Sequence, residues 1–269
     1  MDSSTSSNLL NSIKYQNFEQ ACQSEPLVVL EKMLKALKFQ NKKIGKQLLN
    51  RAQRYAIRSN NLKVVKWLFK KGARFTQSII INAVKNADNP DVLKYLLKHG
   101  LTTKYRTNYD YRGKGALHFA CSAEIVDILI KNGMNINERA GENRRGLTPL
   151  QAAVSRPWYQ YSWRRATVVE ALLKHGAKLE QADPDGRTAL LIAFSHKYSS
   201  PAIAVVKILL NYGAKVNAKD RQGHTALNYA VGKNDCYFTD MLLDAGADTA
   251  LITQKKLNKA CPYIKRKIN

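Results

Sequence analysis

Two short words, one opening and one closing a helical unit, recur along the chain and limit what it can fold into. The closing word, Leu-Leu-x-x-Gly-Ala, stands at 242–247, 209–214 and 172–177, and weaker copies end at Gly133, Gly100 and Gly72. The opening word, Gly-x-Thr-(Ala/Pro)-Leu, stands at 223–227, 186–190 and 146–150, with a degenerate copy at 113–117 just before His118. Gly213 to Gly246 is 33 residues, and so is Gly100 to Gly133. In the unit at 220–249, Thr225 suits an N-cap, because its hydroxyl accepts a bond from an N–H that the first helical turn leaves unpaired. Ala226, Leu227, Tyr229 and Ala230 give a short apolar face, and Gly232-Lys233-Asn234 breaks that helix. A second helix carries Phe238, Met241, Leu242 and Leu243, and Gly246 stops it as the left-handed residue of a helix C-terminus. Neither helix is long enough to be stable alone in water. Each unit must bury its face against another copy.

This period, with these words at both ends of the unit, resembles the ankyrin repeat over about 46–250. The resemblance implies an all-α fold: an ankyrin-repeat α-solenoid of about six repeats, each a helix-turn-helix with a hairpin finger, between helical caps. The division expected is a disordered N-terminus at 1–8, a helical cap at 9–45, repeats at 46–250, and a cap helix with a basic tail at 251–269. Pro149 fits this scheme, since a first-turn proline has no helical N–H partner to lose. By the same resemblance His118 takes the place of the family's Thr-Pro-Leu-His histidine, which bonds neighbouring backbone. Members of the family are overwhelmingly protein-binding scaffolds that hold a partner on the concave face made by fingers and inner helices. The irregular repeat lengths resemble ankyrin effectors of intracellular bacteria that act inside a eukaryotic host.

Departures from the regular length point to candidate binding sites. The loop at 101–112 falls where a finger projects and carries Tyr105, Arg106, Tyr109, Tyr111 and Arg112. Tyrosine and arginine most often anchor interfaces; ordinary packing among the tyrosines is the plainer reading. The repeat containing His118 is about three residues short. Thr148 to Gly176 is 28 residues against 21 from Thr225 to Gly246, so seven extra residues lie between the helices. The insertion holds Arg156, Trp158, Tyr159, Tyr161, Trp163, Arg164 and Arg165. Interleaved arginine and aromatic side chains anchor a protein partner or stack nucleic-acid bases, unless the aromatics fold back as a local core. About four further residues are inserted around 198–201.

The formal net charge is +24, and its distribution carries the argument. No acidic residue lies between Glu31 and Asp88, and fifteen bases do. Arg51, Arg54 and Arg58 share one helical face by their spacing, and Lys63, Lys66 and Lys70 form a second row. Solvated faces normally mix signs, and like charges repel, so this is read as a functional electrostatic surface. Upstream, Leu27, Leu30, Met33, Leu34 and Leu37 form an apolar stripe opposite Lys32, Lys35 and Lys38. That helix reads as a cap on the first repeat, which a solenoid requires, or as a basic amphipathic helix for a membrane or partner.

Three partners follow from the charge. The first is a protein with an acidic surface, steered in by the basic N-terminal third and held by the finger and the insertion. The second is nucleic acid, bound through counterion release at the 32–85 surface. The third is an anionic membrane surface. The architecture favours the first, because it offers no groove-reading helix and no recognised nucleic-acid motif.

Catalytic constellations are absent from the sequence: no His-Glu-x-x-His, no Gly-x-Ser-x-Gly and no glycine-rich phosphate loop in context. The acids stand singly at turns, as Asp183, Asp185 and Asp220 do, and the five histidines have no metal-ligand spacing. The expectation is a non-enzyme without cofactor or metal. No apolar run reaches the roughly 18 residues of a membrane span, and the Ser-rich start at 1–8 lacks the apolar region of a secretory signal. Cys22, Cys121, Cys236 and Cys261 are widely spaced, which fits free thiols in a reducing intracellular compartment. Cys121 falls at a small, buried alanine position. A monomer is expected; as a secreted effector it would act in host cytoplasm or nucleus.

Overall fold

The closing word is a helix-stop device. In the computed structural model of the protein, all six of its glycines (Gly72, Gly100, Gly133, Gly176, Gly213 and Gly246) take φ between 80° and 87°. At Gly176 that conformation lets two N–H groups turn back on the helix. Gly176 N donates to Leu173 O at 2.9 Å and Ala177 N to Leu172 O at 3.0 Å, the paired bonds of a Schellman stop. The same pair forms at the other five ends, with Leu68, Leu96, Leu129, Leu209 and Leu242 as the outer acceptors. Those leucines are essentially inaccessible to solvent. One word therefore caps the helix and supplies its core residue. The structure describes residues 17–18, 20–22, 25, 27–40, 42–73, 79–85, 90–101, 114–141, 146–155, 162–195 and 202–268, with the side chains of 36–47 and 162–164 left aside. Among them all regular structure is helical. The chain divides into two compact units, Met1–Arg106 and Thr107–Asn269.

The first unit holds α1 (Leu27–Gln40), α2 (Lys42–Arg58), α3 (Leu62–Lys70), α4 (Ile79–Lys85) and α5 (Asp91–Lys98). Helices α2 and α3 form one pair, α4 and α5 the next; α4 stacks on α2, and α5 on α3. Helix α1 lies against α2 and spends much of its apolar stripe there: Leu30 and Leu34 are buried, Leu27 and Met33 half-buried. Trp67 of α3 then ties it down, its indole Nε1 donating to Glu31 Oε1 at 3.1 Å, with Lys71 Nζ 3.1 Å from the same oxygen. That hydrogen bond and then Lys71 hold the Glu31 carboxyl below its usual range.

The second unit has two rows. One is made of a 3₁₀ turn (Ala116–Phe119), α7 (Pro149–Ser155), α9 (Ala189–Ser195), α11 (Ala226–Gly232) and α13 (Gln254–Lys259), each against the next. The other runs through α6 (Ala123–Lys131), α8 (Ser162–Lys174) and α10 (Ile203–Asn211), with α12 (Cys236–Asp244) and α14 (Pro262–Ile268) following in sequence. The missing residues of the short repeat show as a first helix reduced to a single turn. Thr225 caps α11 as expected, accepting from Asn228 N at 3.3 Å.

At three of the four opening words the residue that follows laces one repeat to the next. His118 Nδ1 accepts from Gly115 N at 3.2 Å and Nε2–H donates to Leu147 O at 2.9 Å, which fixes a neutral tautomer. Gln151 Nε2 donates to Gln181 O at 2.6 Å, and Asn228 Nδ2 to Leu251 O at 2.7 Å. In each case a buried polar side chain reaches the next turn. Two turns are closed by an aspartate: Asp183 Oδ1 accepts from Asp185 N and Arg187 N, and Asp220 Oδ1 from Gln222 N and His224 N. Ala140 takes the equivalent place at the third turn, where Gly146 N donates to Ala140 O. A Cβ on Gly146 would lie 2.5 Å from that oxygen, so no other residue fits without moving backbone.

Two expectations need correction. Cys121 is half-buried rather than buried, because the chain leaves its one-turn helix before reaching it. The basic tail at 264–267 belongs to helix α14, whose Ile264 is fully buried. Phe69 of α3 stands outside the buried stripe of its helix and is 37% exposed.

Candidate functional site

Arg51, Arg54 and Arg58 of α2 stand opposite Leu48, Leu49, Ala52 and Ala56, which are buried, and all three are exposed. Lys63, Lys66 and Lys70 of α3 are likewise exposed opposite Val64, Val65 and Leu68. The two rows belong to paired helices of one unit. Lys32, Lys35, Lys71 and Lys85 are exposed as well, and Glu31 at the margin is already engaged by Trp67 and Lys71. Both rows are thus exposed on paired helices. Helical periodicity makes this inevitable: with one face of each helix buried, residues three and four apart share the other.

Beside the lysine row lies a cluster that the spacing did not show. Phe69 of α3 meets Tyr95 of α5 edge-on at 6.0 Å and His99 at 4.9 Å, and the Tyr95 and His99 rings are 4.0 Å apart. His99 Nδ1–H donates to Tyr95 O at 2.8 Å, which fixes the imidazole in place. Lys66 Nζ lies 5.7 Å from the Tyr95 ring centre. Phe69 and His99 are exposed and Tyr95 half-exposed. The result is an aromatic cluster with Lys66 Nζ over one ring, on two helices that also carry exposed Lys70, Lys94 and Lys98. Such a face is chemically suited to acidic groups carried beside apolar or aromatic ones. The signal in the sequence was present but diffuse: Phe69 broke the burial pattern of its helix, and Tyr95 precedes Leu96 on the outer side of the next.

The other candidate residues are placed as follows. Tyr105, Arg106, Tyr109, Tyr111 and Arg112 lie outside the described residues, as do Arg156, Trp158, Tyr159 and Tyr161. The inserted segment ends earlier than its composition suggested, because α8 begins at Ser162. Trp163 and Arg164 therefore stand in the first turn of α8. Arg165, read as a loop anchor, is 8% exposed and packs within the unit. A turn of helix lays its fourth residue back over the core, and that removes Arg165 from the anchoring set.

The histidines and acids do structural work where they are described. His175 Nε2 is 2.7 Å from Asp127 Oδ1, linking the two repeats that α8 and α6 close. Burial pulls His118 below its ordinary value despite its two backbone bonds. Asp220 Oδ2 accepts from the Tyr229 hydroxyl at 2.6 Å. Burial pushes the Asp220 carboxyl up, but Tyr229 and the His224 and Gln222 N–H groups outweigh it and hold it below the usual range. Burial and the same bond push Tyr229 up to about 12. No group of three or more metal-binding side chains occurs among the described residues, and no described helix is long and apolar enough to cross a membrane.

Three comparisons bear on this architecture. A family model described as ankyrin repeats (3 copies) matches residues 80–181, 124–220 and 158–252, more than half of the chain. An ankyrin repeat protein of Rickettsia felis is 30% identical over 150 residues, covering 52% of this chain and 38% of the relative. The chain therefore spans well under half of the length of that relative. Among solved structures, the ankyrin repeat domain of Bcl-3, a member of the IkappaB protein family, is similar with a TM-score of 0.61 and 26% identity. That likeness covers 80% of this chain and 96% of the other.

Proposed function

Because the chain belongs to the ankyrin-repeat family, and is by that a protein–protein interaction module, we propose that its partner is a protein with an acidic surface, received on the basic face of the first unit. One observation carries this reading: the two cationic rows of α2 and α3 are exposed together, in a stretch of sequence without a single acid. The aromatic platform of Phe69, Tyr95 and His99 supports it, since aromatic groups flanked by cations are what interface anchors are made of. Long-range attraction steers the encounter, and the platform sets the register. The loop at 101–112 and the insertion from Arg156 to Arg164 add further anchors. Family and fold are of a kind that is typically non-catalytic, in keeping with a binding role. The Rickettsia felis relative is in keeping with a bacterial protein that acts as an effector in a host cell.

The test is capture from eukaryotic lysate at about physiological ionic strength, with and without nuclease, followed by mass spectrometry. A stoichiometric acidic protein that survives nuclease is the expected result. Material that disappears with nuclease would transfer the surface to nucleic acid, and recovery on anionic vesicles alone would transfer it to membranes. With the partner in hand, Arg51→Glu, Arg54→Glu and Arg58→Glu together should slow association at low salt by about 10- to 100-fold and flatten its salt dependence. An unchanged rate removes the α2 row from the site. Trp158→Ala or Trp163→Ala should each weaken binding by more than about 1 kcal/mol; affinity unchanged from the natural protein in both variants would exclude the insertion.

A further inference from the structure

Cys236 opens α12, and Cys261 lies immediately before α14, 25 residues later in the chain. Their sulfurs are 3.7 Å apart, and both residues are half-exposed. We propose that Cys236 and Cys261 form a reversible dithiol–disulfide site that locks the C-terminal helix onto the last repeat.

The placement of the two thiols follows from bonds that do not involve sulfur. Asn234 Oδ1 accepts from Cys261 N at 2.9 Å, which fixes the start of α14 against the loop that leads into α12. Tyr263 donates to Asp240 Oδ2 at 2.5 Å, Lys267 Nζ lies 3.8 Å from Asp240 Oδ1, and Ile264 is fully buried. These contacts set α14 along α12 and bring the cysteines together. A disulfide needs its sulfurs about 2 Å apart, so the pair has to close from 3.7 Å. Of the other two cysteines, Cys22 is fully buried in the first unit and Cys121 lies near the start of the second unit's sequence.

The two thiols are chemically unequal. Backbone N–H groups of Ile264 and Tyr263 hold the Cys261 thiol below its ordinary value and favour its thiolate, while burial, the Cys261 thiol and Asp240 push Cys236 up. Cys261 is therefore the attacking thiolate. With a low-molecular-weight disulfide such as oxidised glutathione as the oxidant, the Cys261 thiolate attacks one sulfur and expels one glutathione thiolate. Cys236 then loses its proton and attacks the Cys261 sulfur of the mixed disulfide, expelling the second glutathione. Two protein thiols are oxidised, one disulfide is reduced to two thiols, and the reverse exchange restores the open form. Closing a loop of this length restricts the unfolded chain and makes the release of α14 from α12 contingent on reduction.

The experiment uses the full chain equilibrated in glutathione buffers of graded potential, quenched with acid and mapped by mass spectrometry without reduction. The expected result is a linked Cys236–Cys261 peptide that is lost on adding dithiothreitol, with a melting temperature raised by several degrees in the linked form. Cys236→Ser should stop at a glutathione adduct on Cys261, and Cys261→Ser should give no linked peptide. Both substitutions are at half-exposed positions. A chain in which the pair stays reduced while glutathione is mostly oxidised, or in which linkage runs instead to Cys22 or Cys121, would overturn the proposal.

Discussion

Phe194→Ala should lower the stability of the second unit by about 3–5 kcal/mol. Phe194 is 1% exposed, near the end of α9, and its ring meets Phe238 of α12 edge-on at 5.3 Å. Truncation leaves a cavity at the junction of two repeats, where neither neighbour can collapse without pulling its own helix off the stack. In a repeat array stability is close to a sum of repeat and nearest-neighbour terms, so the loss should extend to both flanking repeats. Urea unfolding followed by circular dichroism measures it, and Tyr212→Ala, at a site 40% exposed, serves as the control. That control should stay within about 0.5 kcal/mol. A similar small change at Phe194 would mean that the α9–α12 contact is not part of the cooperative core.

The second large effect is at His118. Replacing it with alanine strands the Gly115 N–H and the Leu147 carbonyl, both bonded to its ring, and should cost about 2–4 kcal/mol. The same residue makes the fold sensitive to acid. Burial holds its folded value below the ordinary 6.5, so the unfolded chain takes up the proton more readily. The stabilisation is fully present above the unfolded value and is lost as pH falls through the folded one. Unfolding measured between neutral pH and about pH 5 should therefore show a steeper decline in the natural protein than in His118→Asn. Parallel slopes would mean that the folded and unfolded chains take up this proton equally readily.

The sequence disclosed what depends on a few adjacent residues. A glycine stop needs a left-handed backbone and two carbonyls within one turn, and an N-cap needs a hydroxyl at one position; Gly246 and Thr225 could be read directly. The cationic rows were legible for the same reason, since spacing alone places Arg51, Arg54 and Arg58 on one side of α2. What sequence alone hid depends on how elements stack. The Phe69–Tyr95–His99 platform exists only once α3 lies against α5, and the Cys236–Cys261 contact only once α14 folds back. Arg165 was misplaced by composition: its aromatic and basic neighbours suggested loop, while the start of α8 at Ser162 turned it inward. The lacing role of Gln151 and Asn228 was missed because their amides do not look like the histidine whose place they share.

The local helix stops have a consequence for how such a chain changes over generations. Because each stop is completed by bonds within its own last turn, the spacing between one helix and the next is not needed to end either of them. Seven residues added before α8, or four before α10, leave the stops at Gly176 and Gly213 as they are. The thermodynamic toll is the slow logarithmic growth of loop closure, about 0.6 kcal/mol for each doubling of length. New surface can thus be tried at the edge of any repeat without renegotiating the core, and a damaged edge can be deleted as cheaply.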